Sequence, residues 1–124
     1  MRYGLIGCGG IGVLRAEALA KMDGHELVVA CDSDIARART LAEKHGGDAI
    51  DDWQELVQRD DIDAVVVSTP PGLHMEMTIA AHNAGKHVLC EKPLARNLEE
   101  CQAMIDAAKM NSRILATGFN YRFY

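Results

Sequence analysis

Short, nearly continuous apolar runs punctuate the chain at residues 3–6, 27–31, 49–50, 64–67, 87–90 and 114–117. Such runs suit strands covered on both faces, because a half-exposed strand would alternate apolar with polar residues. Between them apolar positions recur every three or four residues, the period of a helix. The first helical stretch opens at Ile11, sets Ile11, Leu14, Ala18 and Met22 on one face, and stops at Asp23-Gly24. A second begins near Ile35, behind Asp32-Ser33-Asp34, and ends before Gly46-Gly47. A brief third follows Asp52, whose spacing to Glu55 is that of a capping box. The fourth spans 73–84 and ends at Gly85; a fifth, capped by Asn97 with Glu100, presents Leu98, Cys101, Ile105 and Ala108. Strands alternating with helices in this way predict the α/β class, a doubly wound parallel sheet joined by right-handed crossovers, with residues 1–124 as a single domain.

Composition narrows the partners more than the fold. The 124 residues carry a formal net charge of −5 and no basic run, which argues against nucleic acid or an anionic membrane as partner. A phosphate-bearing ligand is still accommodated where main-chain amides hold it. Cys8, Cys31, Cys90 and Cys101 show no metal-ligand spacing with the histidines, so no metal site is expected. Cys31 and Cys90 sit at the ends of apolar runs, where a reduced thiol behaves as a small hydrophobe, which suits a reducing cytoplasm. Nothing approaches the length of a membrane span, and glycines interrupt the N-terminal apolar residues before a signal peptide's core could form.

The candidate chemistry lies where strands end. Gly7-Cys8-Gly9-Gly10-Ile11-Gly12 follows the first strand and contains the G-x-G-x-x-G spacing of a dinucleotide-binding turn. Gly7 permits the sharp bend, Gly9 lets a diphosphate approach the main chain, and Gly12 lets the helix pack close to the strand. A glycine-rich turn in some other α/β protein would read similarly. Asp32 stands twenty positions after Gly12, at the carboxyl end of the second strand, where an acid accepts hydrogen bonds from ribose hydroxyls. It could instead only cap the next helix, as Ser33 or Asp34 could. A carboxylate there repels a ribose 2′-phosphate, so NAD is expected, with NADP as the alternative if Arg37 turns toward that phosphate. Ser33 and Arg37 are therefore counted with the cofactor site. Ser68-Thr69-Pro70-Pro71 ends the fourth strand and offers a stiff wall for a flat ring, with His74 just beyond as a polar contact. Glu91-Lys92-Pro93 ends the fifth. Lys92 can hydrogen-bond a substrate hydroxyl or carbonyl, whereas the bland reading is an exposed Glu91–Lys92 ion pair.

Taken in order, these motifs and the ending Gly118-Phe119-Asn120-Tyr121-Arg122-Phe123 resemble the glucose-fructose oxidoreductase / inositol dehydrogenase (Gfo/Idh/MocA) family along the whole chain. The resemblance implies an NAD(P)-binding Rossmann fold and an NAD(P)-dependent oxidoreductase acting on sugars, cyclitols or related hydroxy compounds. It implies that Lys92 is the catalytic lysine and that Glu91 is its partner beside the nicotinamide. Asn120 and Arg122 are expected to line that end of the cleft, and the Lys92-Pro93 bond is expected to be cis. Members of the family continue into a C-terminal α/β domain that binds substrate and often builds the oligomer interface. The expectation is thus a cofactor half, inactive alone, whose sugar or polyol substrate is reached through a domain absent here. A homo-oligomer is expected, with bare apolar surface near the last strand favouring self-association. A non-enzymatic dinucleotide sensor of the same fold is the alternative.

Overall fold

The computed structural model describes residues 1–123, with side chains to residue 121. The apolar runs become β1 (Arg2–Ile6), β2 (Glu26–Cys31), β3 (Asp48–Ile50), β4 (Ala64–Val67), β5 (His87–Cys90) and β6 (Leu115–Thr117). They pair in parallel in the order β3-β2-β1-β4-β5-β6. Strands β1 to β3 thus step outward one way, and the chain then crosses back to place β4 on the other side of β1. That reversal leaves a crevice beyond the carboxyl ends of β1 and β4, where open α/β sheets take their ligands.

Five helices cover the sheet: α1 (Gly10–Leu19), α2 (Ile35–His45), α3 (Trp53–Gln58), α4 (His74–Asn83) and α5 (Leu98–Met110). Strand pleating sends Val65 and Val67 of β4 to one side, among Leu56, Met77 and Met104 from α3, α4 and α5. Val66 points the other way and joins Ala16, Leu19, Ala38 and Leu41 from α1 and α2. Each such large aliphatic side chain taken from water contributes about 1.5–3 kcal/mol before the cost of ordering it. Both faces of β4 are buried, which is why its sequence, Ala64-Val65-Val66-Val67, is apolar throughout.

Two helix faces differ from those the periodicity predicts. In α1 the buried positions are Gly12, Ala16 and Leu19, whereas Ile11 and Leu14 are exposed. The helix lies so near the glycine turn that a Cβ on Gly12 would stand 2.0 Å from the Gly7 carbonyl oxygen. Only small residues fit that contact, so the bulky apolar ones are displaced from it. In α5 the buried stripe is Glu100, Met104, Ala107 and Ala108, and Leu98 is exposed. Met104 reaches the core, and Glu100 turns inward to accept from the Arg96 main-chain N–H at 3.0 Å and from the Arg96 guanidinium. The Asn97 side chain caps α5 by accepting from the Glu100 N–H at 2.8 Å, as the spacing predicts. No helix among the described residues is long and apolar enough to cross a membrane.

Candidate functional site

The first βα turn is held by close approaches at Gly7. Gly7 has φ +96°, and its N–H donates to the Cys31 carbonyl oxygen at 2.8 Å. A side chain there would strike the Ser68 carbonyl, with Cβ 2.6 Å from its oxygen. Gly9 differs in kind: a Cβ built on it meets nothing within 4 Å, so this glycine faces open space. It is also the N-cap of α1, and no side chain caps that helix. The first N–H groups of α1 have no partner within the helix and carry the positive end of its dipole.

Asp32 continues the line of β2 into the same space. One carboxylate oxygen accepts from the Cys8 N–H at 2.8 Å, and the other from the Asp34 N–H at 2.9 Å. The helix-capping role falls to Asp34, which accepts from the Ala36 N–H at 3.1 Å. Asp32 is therefore not the cap of α2: it ties the glycine turn to β2. A carboxylate has lone pairs to spare after two such bonds.

These groups surround a cleft of about 580 Å³. Of the residues singled out from sequence, Gly7, Gly9, Gly10, Ile11, Asp32, Ser33, Arg37, Ser68, Thr69 and Pro70 line it. Asp51, Trp53, Leu73 and Met77 line it too, and sequence reasoning missed them. The signal was available for Asp51, which directly follows β3 and so sits at a strand end facing the crevice. Ser68 Oγ is buried and has no hydrogen-bond partner among the described residues.

Other residues expected at the site lie elsewhere. Gly12 is buried in the α1–turn contact. The Cys8 side chain is buried beneath the turn, its thiol pushed up to about 12 chiefly by loss of water. His74 is completely buried and does not line the cleft. Its ring nitrogens lie 2.7 Å from the Thr69 carbonyl oxygen and 2.9 Å from that of Pro93, so it braces the ends of β4 and β5 from behind. The exposed Glu91–Lys92 pair does not form. Glu91 is buried, ion-paired with Arg15 of α1, and packed so closely under Gly118 that a Cβ there would stand 2.5 Å from a carboxylate oxygen.

Lys92 is exposed at the end of β5, with no hydrogen-bond or ion-pair partner among the described residues, and the Lys92-Pro93 bond is cis. Asn120 is exposed in the turn after β6, and neither residue lines the cleft. The Arg122 side chain lies outside the described residues. All four cysteines are free, and the described residues hold no cluster of acidic, histidine or cysteine side chains suited to a metal.

A family model described as "Oxidoreductase family, NAD-binding Rossmann fold" (GFO_IDH_MocA) matches residues 1–119. A myo-inositol 2-dehydrogenase of Thermotoga maritima is 43% identical over 124 residues, covering 99% of this chain and 37% of the relative. A crystal structure of a probable dehydrogenase from Thermotoga maritima superposes with a TM-score of 0.94 at 42% identity, covering 99% of this chain and 37% of that one. The 3-ketoreductase KijD10 from Actinomadura kijaniata, crystallised with NADP, gives 0.95 at 32% identity, covering 100% of this chain and 40% of its own. The chain thus spans somewhat more than a third of the length of these relatives.

Proposed function

The chain belongs to the Gfo/Idh/MocA oxidoreductase family, as its NAD-binding Rossmann fold, and from that premise we propose that its cleft holds a nicotinamide dinucleotide for oxidation or reduction of a sugar, cyclitol or related polyol. The observation that carries the reading is the open face of Gly9 at an uncapped helix N-terminus, with Asp32 lining the same cleft beside the turn. A diphosphate fits there because main-chain N–H groups, not a basic patch, supply the attraction. The cleft volume lies in the range of small-ligand sites. The Ser68 hydroxyl adds a polar group that no described residue uses.

In this reading the amides at the start of α1 bind the diphosphate, and Asp32 accepts from ribose hydroxyls, favouring NAD over NADP. Ser33 and Arg37 flank that ribose. Thr69 and Pro70 wall the redox ring, while the buried His74 and Glu91 hold the strand ends that carry them. The bound cofactor supplies hydride transfer to or from a carbon–oxygen centre. Lys92 Nζ hydrogen-bonds the substrate oxygen and exchanges its proton as charge develops there. Asn120 borders the same end. A small sugar or polyol as substrate, a homo-oligomer and a reducing cytoplasm belong to the same proposal.

Titration with NADH tests it. Saturable binding of one NADH per chain is expected, with none for S-adenosylmethionine; absence of NADH binding contradicts the reading. In protein that turns over a polyol, Lys92→Ala should leave NADH affinity unchanged and lower kcat by about 100-fold or more. Retained turnover would remove Lys92 from the chemistry.

A further inference from the structure

Asp51 sits beside Asp32 at the cleft in a way the glycine motif does not announce. Strands β2 and β3 pair with Cys31 opposite Ile50. The ladder runs one bond further, with the Asp32 N–H donating to the Ile50 carbonyl oxygen at 3.3 Å. Continuing that register brings Asp51 alongside Asp32, and both line the cleft with Ser33 and Arg37.

Neighbouring acids each have a structural task. Asp32 holds the Cys8 and Asp34 amides, Asp34 caps α2, and Asp52 caps α3 by accepting from the Gln54 N–H at 2.8 Å. Asp51 has no hydrogen-bond or ion-pair partner among the described residues, and no cap or turn requires its carboxylate. The nearby cation does not cancel it, because Arg37 lies 3.5 Å from Asp34 and is shared with that acid.

We infer that Asp51 is a second specificity-determining residue, which rejects a cofactor bearing a ribose 2′-phosphate by placing a second negative charge beside Asp32. This rests on the reading of the cleft as a dinucleotide site and deepens it. A 2′-phosphate adds close to two negative charges. Against two unneutralised carboxylates it meets a repulsion that is strongest at low salt, because the exposed Asp51 is screened by solvent and ions. NADH lacks that phosphate, so Asp51 acts on the difference between the two cofactors.

The test is a paired titration of the whole chain with NADH and NADPH, for wild type and Asp51→Asn, at low and high salt. Wild type should prefer NADH. Asp51→Asn, which keeps the shape and removes the charge, should tighten NADPH binding about tenfold, most at low salt, and leave NADH within about twofold. Asp51→Ser should do the same, and an unchanged melting temperature in either variant excludes a folding effect. An unaltered NADH-to-NADPH ratio in both variants would overturn the inference. So would equal wild-type affinity for the two cofactors, while leaving the dinucleotide reading intact. Failure of wild type to bind either one overturns that reading and the inference with it.

Discussion

His74 shows how a single residue can serve the cleft without entering it. Its ring sits against the carbonyl oxygens of Thr69, which lines the cleft, and of Pro93, which follows Lys92, and it has no exposed surface. Removing the ring leaves a cavity and takes the ring N–H from the carbonyl that accepts it, in a place water does not reach. His74→Ala should therefore destabilise the fold by about 2–4 kcal/mol, read from denaturant unfolding. His74→Phe, which fills the volume but donates nothing, should lose less; equal stability of His74→Phe and wild type would show that the bridge contributes nothing. The position of His74 at a helix start beside a strand end was legible, but its direction was not, since a residue opening a helix can face ligand, solvent or core. Asp32 was easier to read, because the glycine spacing fixes which strand end its carboxylate shares. Asp51 was missed because no short motif marks the second strand end beside it, only the register of two strands.

At the scale of elements, strand runs were legible and helix faces were not. A continuous apolar run in an inner strand such as β4 is buried on both sides, whereas the edge strands β3 and β6 are only partly covered. A helix can turn by one residue and offer another stripe, and α1 does so because its contact with the glycine turn admits no side chain at Gly12, which sets Ala16 and Leu19 inward. Helix α4 shows a different constraint. His82, near its end, is completely buried, with Nδ1 3.1 Å from the Lys86 carbonyl oxygen, and burial holds its pKa below the ordinary value. The folded state then binds fewer protons than the unfolded state once pH falls below about 6.5, the unperturbed histidine range. Stability should be fully present above that pH and decline as pH drops through it. Carboxylates held low by arginine partners, such as Asp63 at about 2 beside Arg2, act only further into acid. Unfolding free energies between pH 7.5 and about 5 check this: wild type should lose stability across the interval and His82→Gln should lose less. Parallel curves would place the titration elsewhere.

For the molecule as a whole, the sheet order collects several sequence-distant strand ends at one cleft. Gly9 follows β1, Asp32 follows β2, Asp51 follows β3 and Ser68 follows β4, and the reversal of strand order around β1 opens the space between them. Fold class and the glycine turn could be read directly, since each follows from local pattern. What the pattern could not show was the sharing of labour: which acids cap helices, which brace the turn, and which remain unpartnered at the cleft. The central claim is that the open space beyond Gly9 is where a diphosphate lies. Gly9 has φ −75°, a value any residue adopts, and nothing within 4 Å of its Cβ position, so Gly9→Val should fold as wild type does. The decisive measurement is NADH affinity of Gly9→Val at unchanged melting temperature. The account predicts a loss of about 100-fold or more, because the new side chain fills the position of the phosphates. Wild-type affinity in that variant would contradict it.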